Sequence, residues 1–330
     1  FQRNKKLYLC AAMKQMKKTA EEMNRLGSGG IPFAFLIDFE AKEPQIFKAG
    51  ETEEKIFWQT PLFSNLPEKA ETCPLKKWET QPVTFETYKK GFDLVQHHIH
   101  GGETYLLNYT QPTLIDCNLS LDELFQISSA PYKVHYADGK PVQVKISNGK
   151  ISSFPMKGTI DAETDNAEEL ILSDSKELAE HNTIVDLIRN DLSMVAKNVT
   201  VEKFRYLERI KTNQRDLWQV SSEITGQLPD DYPSRIGDII FRMLPAGSVS
   251  GAPKQKTVEI IRSAENYERG YYTGIFGVFD GSNLDSCVLI RYLENQNGQL
   301  IYKSGGGITF LSDARTEYEE LLKKVYVPVG

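Results

Sequence analysis

Paired turn dipeptides near the middle of the chain constrain its fold more than any other feature. Residues 132–154 are rich in β-forming side chains and contain Asp138-Gly139 and Asn148-Gly149. Such dipeptides favour the tight turns that join neighbouring antiparallel strands. From residue 167 onward, helical and strand patterns alternate. Hairpins with helices between them predict an α+β architecture, and they argue against a doubly wound parallel sheet.

Apolar periodicity places the individual elements. Helices are predicted at residues 5–26, 84–101, 121–127, 176–192, 216–220, 232–243, 251–264 and 313–325. Strands are predicted at residues 31–39, 104–114, 199–207, 271–280, 286–294 and 300–304, and residues 43–48 are expected to pair with the first of them. Ser120, Ser250 and Ser312 are predicted helix caps. Residues 65–82 contain three prolines and are interpreted as a loop or linker.

Composition and charge exclude several classes of function. Of 330 residues, 40% are hydrophobic and 25% charged, as in a soluble globular protein with a core. Because the net charge is −6, the chain is not expected to have the basic surface of a nucleic-acid binder. No apolar run of about 18 residues predicts a membrane span. The four cysteines are scattered without zinc-binding spacing, so we interpret the chain as cytoplasmic with reduced thiols.

The segment that follows the hairpins carries a lysine in an unusual position. Lys157 lies between Pro155 and Gly158, where the predicted strands end. Proline removes a backbone donor from the sheet, and glycine permits close approach of another group. These residues by themselves are also compatible with an ordinary turn and a solvated lysine. Only the surrounding sequence can indicate whether Lys157 belongs to a functional site or to an ordinary turn.

Two predicted helices present carboxylates in pairs. Glu177 and Glu180 share one helix face with Ile184, Leu187 and Asp191. The positive end of the helix dipole explains acids near the N-terminus, but it does not explain their alignment with the apolar stripe. This leaves a functional carboxylate and simple dipole compensation as alternatives.

The last predicted helix repeats the pattern with Glu317 and Glu320. Its carboxylates could form ordinary surface ion pairs with nearby lysines. Acids from two helices could instead hold Mg²⁺, which typically takes one or two carboxylates, water and ligand oxygens.

Two glycine-rich stretches could bind an anion. Residues 244–254 lead into a predicted helix, and residues 304–308 follow a predicted strand. Exposed backbone N–H groups at such places suit a negatively charged ligand, although each stretch could also be a structural turn. His97, His98 and His100 do not share one helix face, so a metal site is not favoured there.

Taken together and in this order, these stretches resemble the chorismate-utilising enzymes. The chain is most similar to the component I group of aminodeoxychorismate synthases, which serve the p-aminobenzoate branch of folate synthesis. The resemblance spans residues 84–330 and is carried by five stretches: Pro-Met-Lys-Gly-Thr (155–159), Ala-Glu-His-Asn-Thr-Ile-Val-Asp-Leu-Ile-Arg-Asn-Asp-Leu (179–192), Pro-Ala-Gly-Ser-Val-Ser-Gly-Ala-Pro-Lys (245–254), Gly-Gly-Gly-Ile (305–308) and Glu-Tyr-Glu-Glu (317–320). It implies an anthranilate synthase component I-like fold, with antiparallel sheets and helices around one cleft. Residues 1–82 would be a shortened N-terminal part, and residues 83–330 the chorismate-binding catalytic core.

The resemblance also implies the roles of individual residues. Mg²⁺ would be held by Glu180 and Glu320, with Glu177 and Glu317 close by, and it would bind the ring carboxylate of chorismate. Arg291 would pair with the enolpyruvyl carboxylate. The remaining substrate-binding positions implied by the resemblance are Gly158, Thr159, Tyr272, Gly274, Gly305, Gly306 and Gly307.

Lys157 determines which member of the family is implied. In aminodeoxychorismate synthases, which are aminating transferases, the corresponding lysine attacks C2 of chorismate, and ammonia then attacks C4. Anthranilate synthases usually carry alanine there, so an anthranilate synthase component I remains an alternative. A relative that binds chorismate or a glutaminase without turnover is a second alternative, because residues 136–146 lack the expected Ser-Pro-Glu glutamate. The general acid is therefore unassigned.

The source of ammonia is expected to be another chain. No cysteine lies in a Gly-x-Cys-x-Gly sequence, the setting of a glutaminase nucleophile. A separate glutamine amidotransferase subunit is therefore the predicted partner.

Overall fold

The computed structural model describes residues 2–48, 56–61, 64–66, 73–130, 132–136, 140–147, 149–210 and 216–327, except for the side chains of residues 2–12 and 140–147. Its helices are α1 (Gln2–Ser28), α2 (Phe85–His100), α3 (Leu121–Ile127), α4 (Ala167–Ser173), α5 (Ser175–Ser193), α6 (Ile236–Met243), α7 (Gly247–Ser250), α8 (Lys254–Ala264) and α9 (Ala314–Lys323). A short 3₁₀ helix, Tyr232–Arg235, precedes α6.

The strands of the first half are β1 (Phe33–Ile37), β2 (Gln45–Lys48), β3 (Phe57–Gln59), β4 (Trp78–Pro82), β5 (Leu106–Cys117), β6 (Lys133–His135), β7 (Lys140–Ser147), β8 (Lys150–Ser153) and β9 (Met156–Asp161). Those of the second half are β10 (Lys197–Ile210), β11 (Leu217–Gln227), β12 (Gly251–Ala252), β13 (Ile275–Phe279), β14 (Leu284–Ile290), β15 (Tyr292–Gln296) and β16 (Gln299–Thr309).

Two large antiparallel sheets organise these elements. A nine-stranded sheet has the order β10-β11-β8-β7-β14-β13-β1-β2, with β9 paired to β11. A five-stranded sheet has the order β12-β5-β16-β15, with β4 paired to β5. Antiparallel sheets with interspersed helices confirm the predicted α+β class.

The strand β1 shows why the centre of the larger sheet is buried on both faces. Its sequence is an unbroken apolar run, which is typical of a strand covered on both sides. Phe33, Phe35 and Ile37 contribute to one apolar core, while Ala34 and Leu36 contribute to another on the opposite face. Helices α1 and α6 cover the first face and thereby fix the sheet on which the candidate site is built.

The hairpin prediction is confirmed where the structure describes it. β7 and β8 pair from Val144 opposite Ser153 to Ser147 opposite Lys150, so the Asn148-Gly149 loop joins them. Gly149 has φ of +74°, the left-handed conformation that such a turn requires. Asn148 and the predicted Asp138-Gly139 turn lie outside the described residues.

Two predicted segments prove to be different elements. The helix predicted at residues 216–220 is wrong, because these residues begin β11, which pairs with β10 on one side and with β8 and β9 on the other. Strand pairing overrides local propensity there. The predicted loop at residues 65–82 contains β4, and Pro82 ends that strand, where a missing N–H is tolerated. The division of the chain near residue 82 stays a prediction.

One of the three predicted serine caps is confirmed. Ser120 forms a capping box with Glu123 at the start of α3. Ser250 instead ends α7, and its hydroxyl donates to the carbonyl of Ala246. The N-cap of α9 is Asp313, whose carboxylate accepts two backbone N–H groups of the first turn. Ser312 is therefore free to bond elsewhere.

No helix among the described residues is long and apolar enough to cross a membrane.

Candidate active site

One cavity of about 810 Å³ lies between elements of the two large sheets. Its walls include β9 and α5 on one side and β16 and α9 on the other. The predicted site residues that line it are Lys157, Gly158, Thr159, Glu177, Glu180, Tyr272, Arg291, Gly305, Gly306, Gly307 and Glu320. The structure thus brings together residues that are more than 160 positions apart in the chain.

Lys157 is aimed at the carboxylates of α5. Its Nζ lies 2.5 Å from Oε2 of Glu180. Gly158, with φ of +84°, turns the backbone so that a Cβ there would lie 3.0 Å from Oε2 of Glu177. Glycine is therefore needed at residue 158 both for the left-handed conformation and for the close approach of α5. These contacts exclude the simple alternative of a solvated turn lysine.

The ammonium of Lys157 is stabilised by its surroundings. Burial alone would lower its pKa, but the charge of Glu180 and the hydrogen bond to it, together with Glu177 and Glu320, raise the pKa above its ordinary value. A nucleophilic amine must be neutral. In this arrangement Lys157 is therefore held in its protonated, unreactive form, and a change in the charge of its neighbours is needed to release it.

In two of the carboxyls, by contrast, burial favours the neutral, protonated form. Burial raises the pKa of Glu177, although the charge of Lys157 opposes the shift. Oε2 of Glu177 is buried without a hydrogen-bond partner. Burial likewise raises the pKa of Glu317, despite the hydrogen bond that Ser312 Oγ donates to it over 2.8 Å. Ser312, predicted as a helix cap, thus supports a site carboxylate instead.

The other two carboxylates have ammonium partners. Lys324 Nζ lies 2.7 Å from Glu320, and Lys176 Nζ lies 3.8 Å from Glu180. Burial raises the pKa of Glu320, but Lys324 outweighs it and the net shift is downward. Both residues predicted as main metal ligands are therefore neutralised by lysines in this structure.

The donor set fits a loosely held divalent cation. Among the described residues, no three His, Cys, Asp or Glu side chains converge as a preformed metal cluster. Mg²⁺ does not require one, because it commonly takes one or two carboxylates and completes its shell with water and ligand oxygens. The buried, unpartnered oxygen of Glu177, beside Glu180 and across from Glu320, is the observation that favours a cation here.

Arg291 supplies positive charge to another part of the wall. It lies between β14 and β15 with φ of +55°, a conformation that is uncommon for a residue with a side chain. Its Nη2 donates to the hydroxyl of Tyr326 over 3.4 Å, and the part of the chain that is described offers it no carboxylate. A half-buried guanidinium without a carboxylate partner among the described residues is suited to binding an anionic ligand.

The triple glycine lies within a strand and not in a loop. Gly305, Gly306 and Gly307 belong to β16 and pair with Thr110, Tyr109 and Asn108 of β5. A Cβ at Gly305 would lie 2.4 Å from the carbonyl oxygen of Tyr109, so glycine is required for the packing of this strand. The contact of these residues with a substrate stays a prediction.

Gly274 and Glu317 are the two predicted site residues that do not line the cavity. A Cβ at Gly274 would lie 2.2 Å from the carbonyl oxygen of Ile37, so β1 explains this glycine. Glu317 is buried behind the wall and bonded to Ser312. The neighbouring Tyr272 is also buried, but it does form part of the wall.

Sequence reasoning missed an ion pair that fixes the glycine-rich stretch at residues 244–254. Lys254 Nζ lies 2.6 Å from Asp191 Oδ1 and donates to the carbonyl of Met243 over 2.6 Å. The N–H of Gly247 donates to Asp191 Oδ2 over 3.0 Å. These bonds tie α7 and α8 to α5. Asp191 shares a helix face with Glu180, which was visible in the sequence, but its partner lies 63 residues away and no local signal identifies it.

The structure adds little to two other expectations. His98 contacts Glu103 near the end of α2, as a surface pair and not as a metal ligand. The segment expected to hold the general acid, residues 136–146, lies largely outside the described side chains. No acid is assigned from it.

Comparisons with known proteins identify the family of this chain. The family described as chorismate binding enzyme matches residues 33–329. An uncharacterised PabA-like protein of Pasteurella multocida (strain Pm70) is 46% identical over 328 residues, covering 94% of this chain and 98% of the relative. The anthranilate synthase component 1 of Aquifex aeolicus (strain VF5) is 30% identical over 315 residues, covering 92% of this chain and 58% of the relative. The aminodeoxychorismate synthase component 1 of Escherichia coli (strain K12) is 29% identical over 320 residues, with 90% and 68% covered.

Solved structures confirm the expected fold. The menaquinone-specific isochorismate synthase of Escherichia coli superposes with a TM-score of 0.69 at 15% identity, covering 94% of this chain and 81% of that one. Anthranilate synthase component I of Streptococcus pneumoniae TIGR4 gives a TM-score of 0.64 at 25% identity, covering 78% and 60%. The family match over nearly the whole chain, with the carboxylates, Lys157 and Arg291 around one cavity, establishes that this chain belongs to the family of chorismate-binding enzymes.

Proposed function

We propose that this protein aminates chorismate at C4 to give 4-amino-4-deoxychorismate. The contact of Lys157 Nζ with Glu180 inside the cavity supports this function most directly. In a chorismate-binding enzyme, an amine at this position can act as a nucleophile toward the ring. Glu180 stands where it can hold the proton that the amine must lose.

The proposed reaction is two displacements, and both ring double bonds shift in each. Neutral Lys157 Nζ attacks C2, a C–N bond forms, and the C4–O bond breaks. The hydroxyl leaves as water after it takes a proton. Ammonia then attacks C4, and the bond between C2 and Nζ breaks to return the lysine. One ammonia thus enters and one water leaves, with no change of oxidation state.

The carboxylates are proposed to serve both the substrate and the lysine. Glu180 and Glu320 would hold Mg²⁺, and Glu177 would contribute its unpartnered oxygen. Bound there, the ion would attract the ring carboxylate of chorismate and offset the negative charge that keeps Lys157 protonated. Arg291 would bind the second carboxylate of the substrate, since a guanidinium fork suits a carboxylate. A dianion is thereby held by a protein of net charge −6.

The ammonia is proposed to come from a separate glutamine amidotransferase. The sequence holds no Gly-x-Cys-x-Gly stretch around its four cysteines. Free ammonia at high concentration can replace such a partner, so the chain can be assayed alone.

The test is a product assay of the purified chain with chorismate, Mg²⁺ and ammonium at alkaline pH. Chromatography with mass detection is expected to show 4-amino-4-deoxychorismate, and omission of Mg²⁺ should abolish it. Anthranilate as the product would replace the proposal with anthranilate synthesis. Unchanged chorismate, with binding intact, would identify a non-catalytic relative.

A second measurement examines the covalent step directly. Intact-mass analysis of the protein with chorismate and Mg²⁺, but without ammonia, should reveal an adduct of chorismate less water. Peptide mapping should place the adduct on Lys157. An adduct that persists in the Lys157→Ala variant would contradict the assignment.

A further inference from the structure

The C-terminal segment after α9 is fixed against the smaller sheet. The hydroxyl of Tyr302 donates to the carbonyls of Lys324 and Tyr326, over 3.0 and 3.1 Å. Trp78 Nε1 donates to the carbonyl of Val325 over 3.4 Å. Val325 is buried in the core formed by α3, β5 and β16. The backbone of residue 326 is therefore placed by two buried or half-buried side chains and not by its own exposed ring.

The ring so placed lies against the arginine of the cavity. The guanidinium of Arg291 is 4.9 Å from the centroid of the Tyr326 ring, and Nη2 bonds to the Tyr326 hydroxyl. A cation over an aromatic face is attracted by the ring electrons, yet it keeps its charge. Tyr326 thus differs from a carboxylate partner, because it can hold Arg291 in place without neutralising it.

Arg291 also borders a second space. A smaller crevice of about 50 Å³ lies on the other side, between α3, β6 and β15. Both Arg291 and Tyr326 line the crevice as well as the main cavity, so together they separate the two spaces. A long side chain at such a partition can turn to either side unless a neighbour restrains it.

We propose that Tyr326 is a positioning residue, which keeps the guanidinium of Arg291 directed to the main cavity and thereby sets the affinity for the second carboxylate of the substrate. This inference rests on the proposed function for the identity of the anion. Its physical content is independent of which product forms, because it concerns binding of the substrate before any bond changes.

The test compares Tyr326→Ala and Tyr326→Phe with the wild type. Direct calorimetric titration with chorismate and Mg²⁺, without ammonia, gives Kd, and the ammonium assay gives KM and kcat. Loss of the ring should weaken Kd and raise KM about fivefold to tenfold, and kcat should change by less than about twofold. Phenylalanine keeps the ring face and should restore all but about a twofold effect.

A double-mutant cycle shows whether Tyr326 acts through Arg291. In an Arg291→Lys background, which lacks the planar fork, Tyr326→Ala should have little further effect on Kd. Tyr105→Ala is the matched control, since Tyr105 is 54% exposed, Tyr326 is 47% exposed, and only Tyr326 lines the cavity. Thermal unfolding of each variant separates a binding change from a folding change.

Several results would overturn the inference about Tyr326 or the proposed function. Equal Kd for Tyr326→Ala and the wild type, or full additivity with Arg291→Lys, would overturn the inference. A fall in kcat without a change in Kd would do the same. Wild-type protein that binds chorismate without aminating it would contradict the proposed function and leave the binding comparison valid. Failure of the wild type to bind chorismate would overturn both.

Discussion

Two lysine–carboxylate pairs join the same helix to its neighbours, and only one of them is an ordinary structural pair. Glu180 and Asp191 of α5 contact Lys157 and Lys254, at 2.5 and 2.6 Å. The side chains are exposed to nearly the same degree, 25% and 12% for the first pair and 23% and 9% for the second. Distance and burial therefore do not distinguish them.

The charged groups around the two pairs do distinguish them. Burial lowers the pKa of Lys254 and raises that of Asp191, although each partner opposes the shift of the other. Around Lys157, additional acids reverse the effect of burial on the lysine and raise its pKa. The Asp191–Lys254 pair has one charge of each sign and joins two helices, while the Lys157–Glu180 pair has further carboxyl groups beside it. Perturbed pKa values of this kind cluster at functional sites, which favours a functional role for the Lys157 pair.

The largest expected effect comes from removing the lysine of the charged pair. Lys157→Ala should reduce formation of 4-amino-4-deoxychorismate by about a thousandfold or more, because it removes the amine that is proposed to attack C2. Ammonia could then attack C2 itself, so anthranilate is the product to look for by fluorescence and mass. The free energy of unfolding should also fall, because the raised pKa of Lys157 means that its charge stabilises the folded protein, but Lys176 still contacts Glu180, so the loss should stay below about 2 kcal/mol.

Lys176→Ala is the matched control for this prediction. Lys176 also contacts Glu180, at 3.8 Å, but its side chain is 51% exposed and does not line the cavity. Its loss should leave the product and most of the rate unchanged. If Lys157→Ala still produced 4-amino-4-deoxychorismate at the wild-type rate, the two lysine pairs would have to be regarded as equivalent.

The sequence predicts the charged pair better than the structural one. Lys157, Glu177 and Glu180 could be singled out because proline, glycine and helical spacing mark them locally. Asp191 was visible on the same helix face, but its role depends on Lys254 and on the N–H of Gly247. Those contacts arise only when α7 and α8 pack against α5, and no local pattern encodes that packing.

The same limit explains the errors in the fold. Helices with clear periodicity, such as α2 and α5, were predicted almost to their ends. The sequence predicts a helix at residues 216–220, where β11 begins, because the strand state of this segment is set by strands on both sides. Gly274 was assigned to the substrate, whereas the approach of Ile37 already requires a glycine there. A glycine in a sequence indicates a close approach, but it does not identify what approaches.

The structural pair should dominate stability. Asp191→Asn leaves the half-buried Lys254 without its counter-ion and weakens the bond from Gly247, so we expect a loss of about 2 kcal/mol in the free energy of unfolding. Urea denaturation followed by circular dichroism measures it. Asp186→Asn on the same helix removes an exposed pair with Arg189 and should cost less than about 0.5 kcal/mol. Equal losses would mean that the Lys254 pair contributes no more than a surface pair.

The smallest expected effect is a gain in the free energy of unfolding, and it should depend on pH. Burial raises the pKa of Glu177 in the folded protein, so the folded state holds its proton to higher pH than the unfolded state does. The ionised carboxylate therefore costs stability as pH rises above the ordinary glutamate pKa, and the full cost is present above the folded pKa. Glu177→Gln should remove this cost and stabilise the metal-free protein by about 1 kcal/mol at pH 8, with no gain at pH 4.

Urea denaturation at both pH values measures the difference, with Glu169→Gln on the exposed face of α4 as the control. The same Glu177→Gln variant should need more Mg²⁺ for activity, because the oxygen that costs stability is the one proposed to bind the cation. A variant that is less stable at pH 8 would show that Glu177 already has a partner in the folded protein. Only Glu180 and Glu320 would then add negative charge around Lys157, and only these two residues would distinguish its surroundings from those of the Asp191 pair.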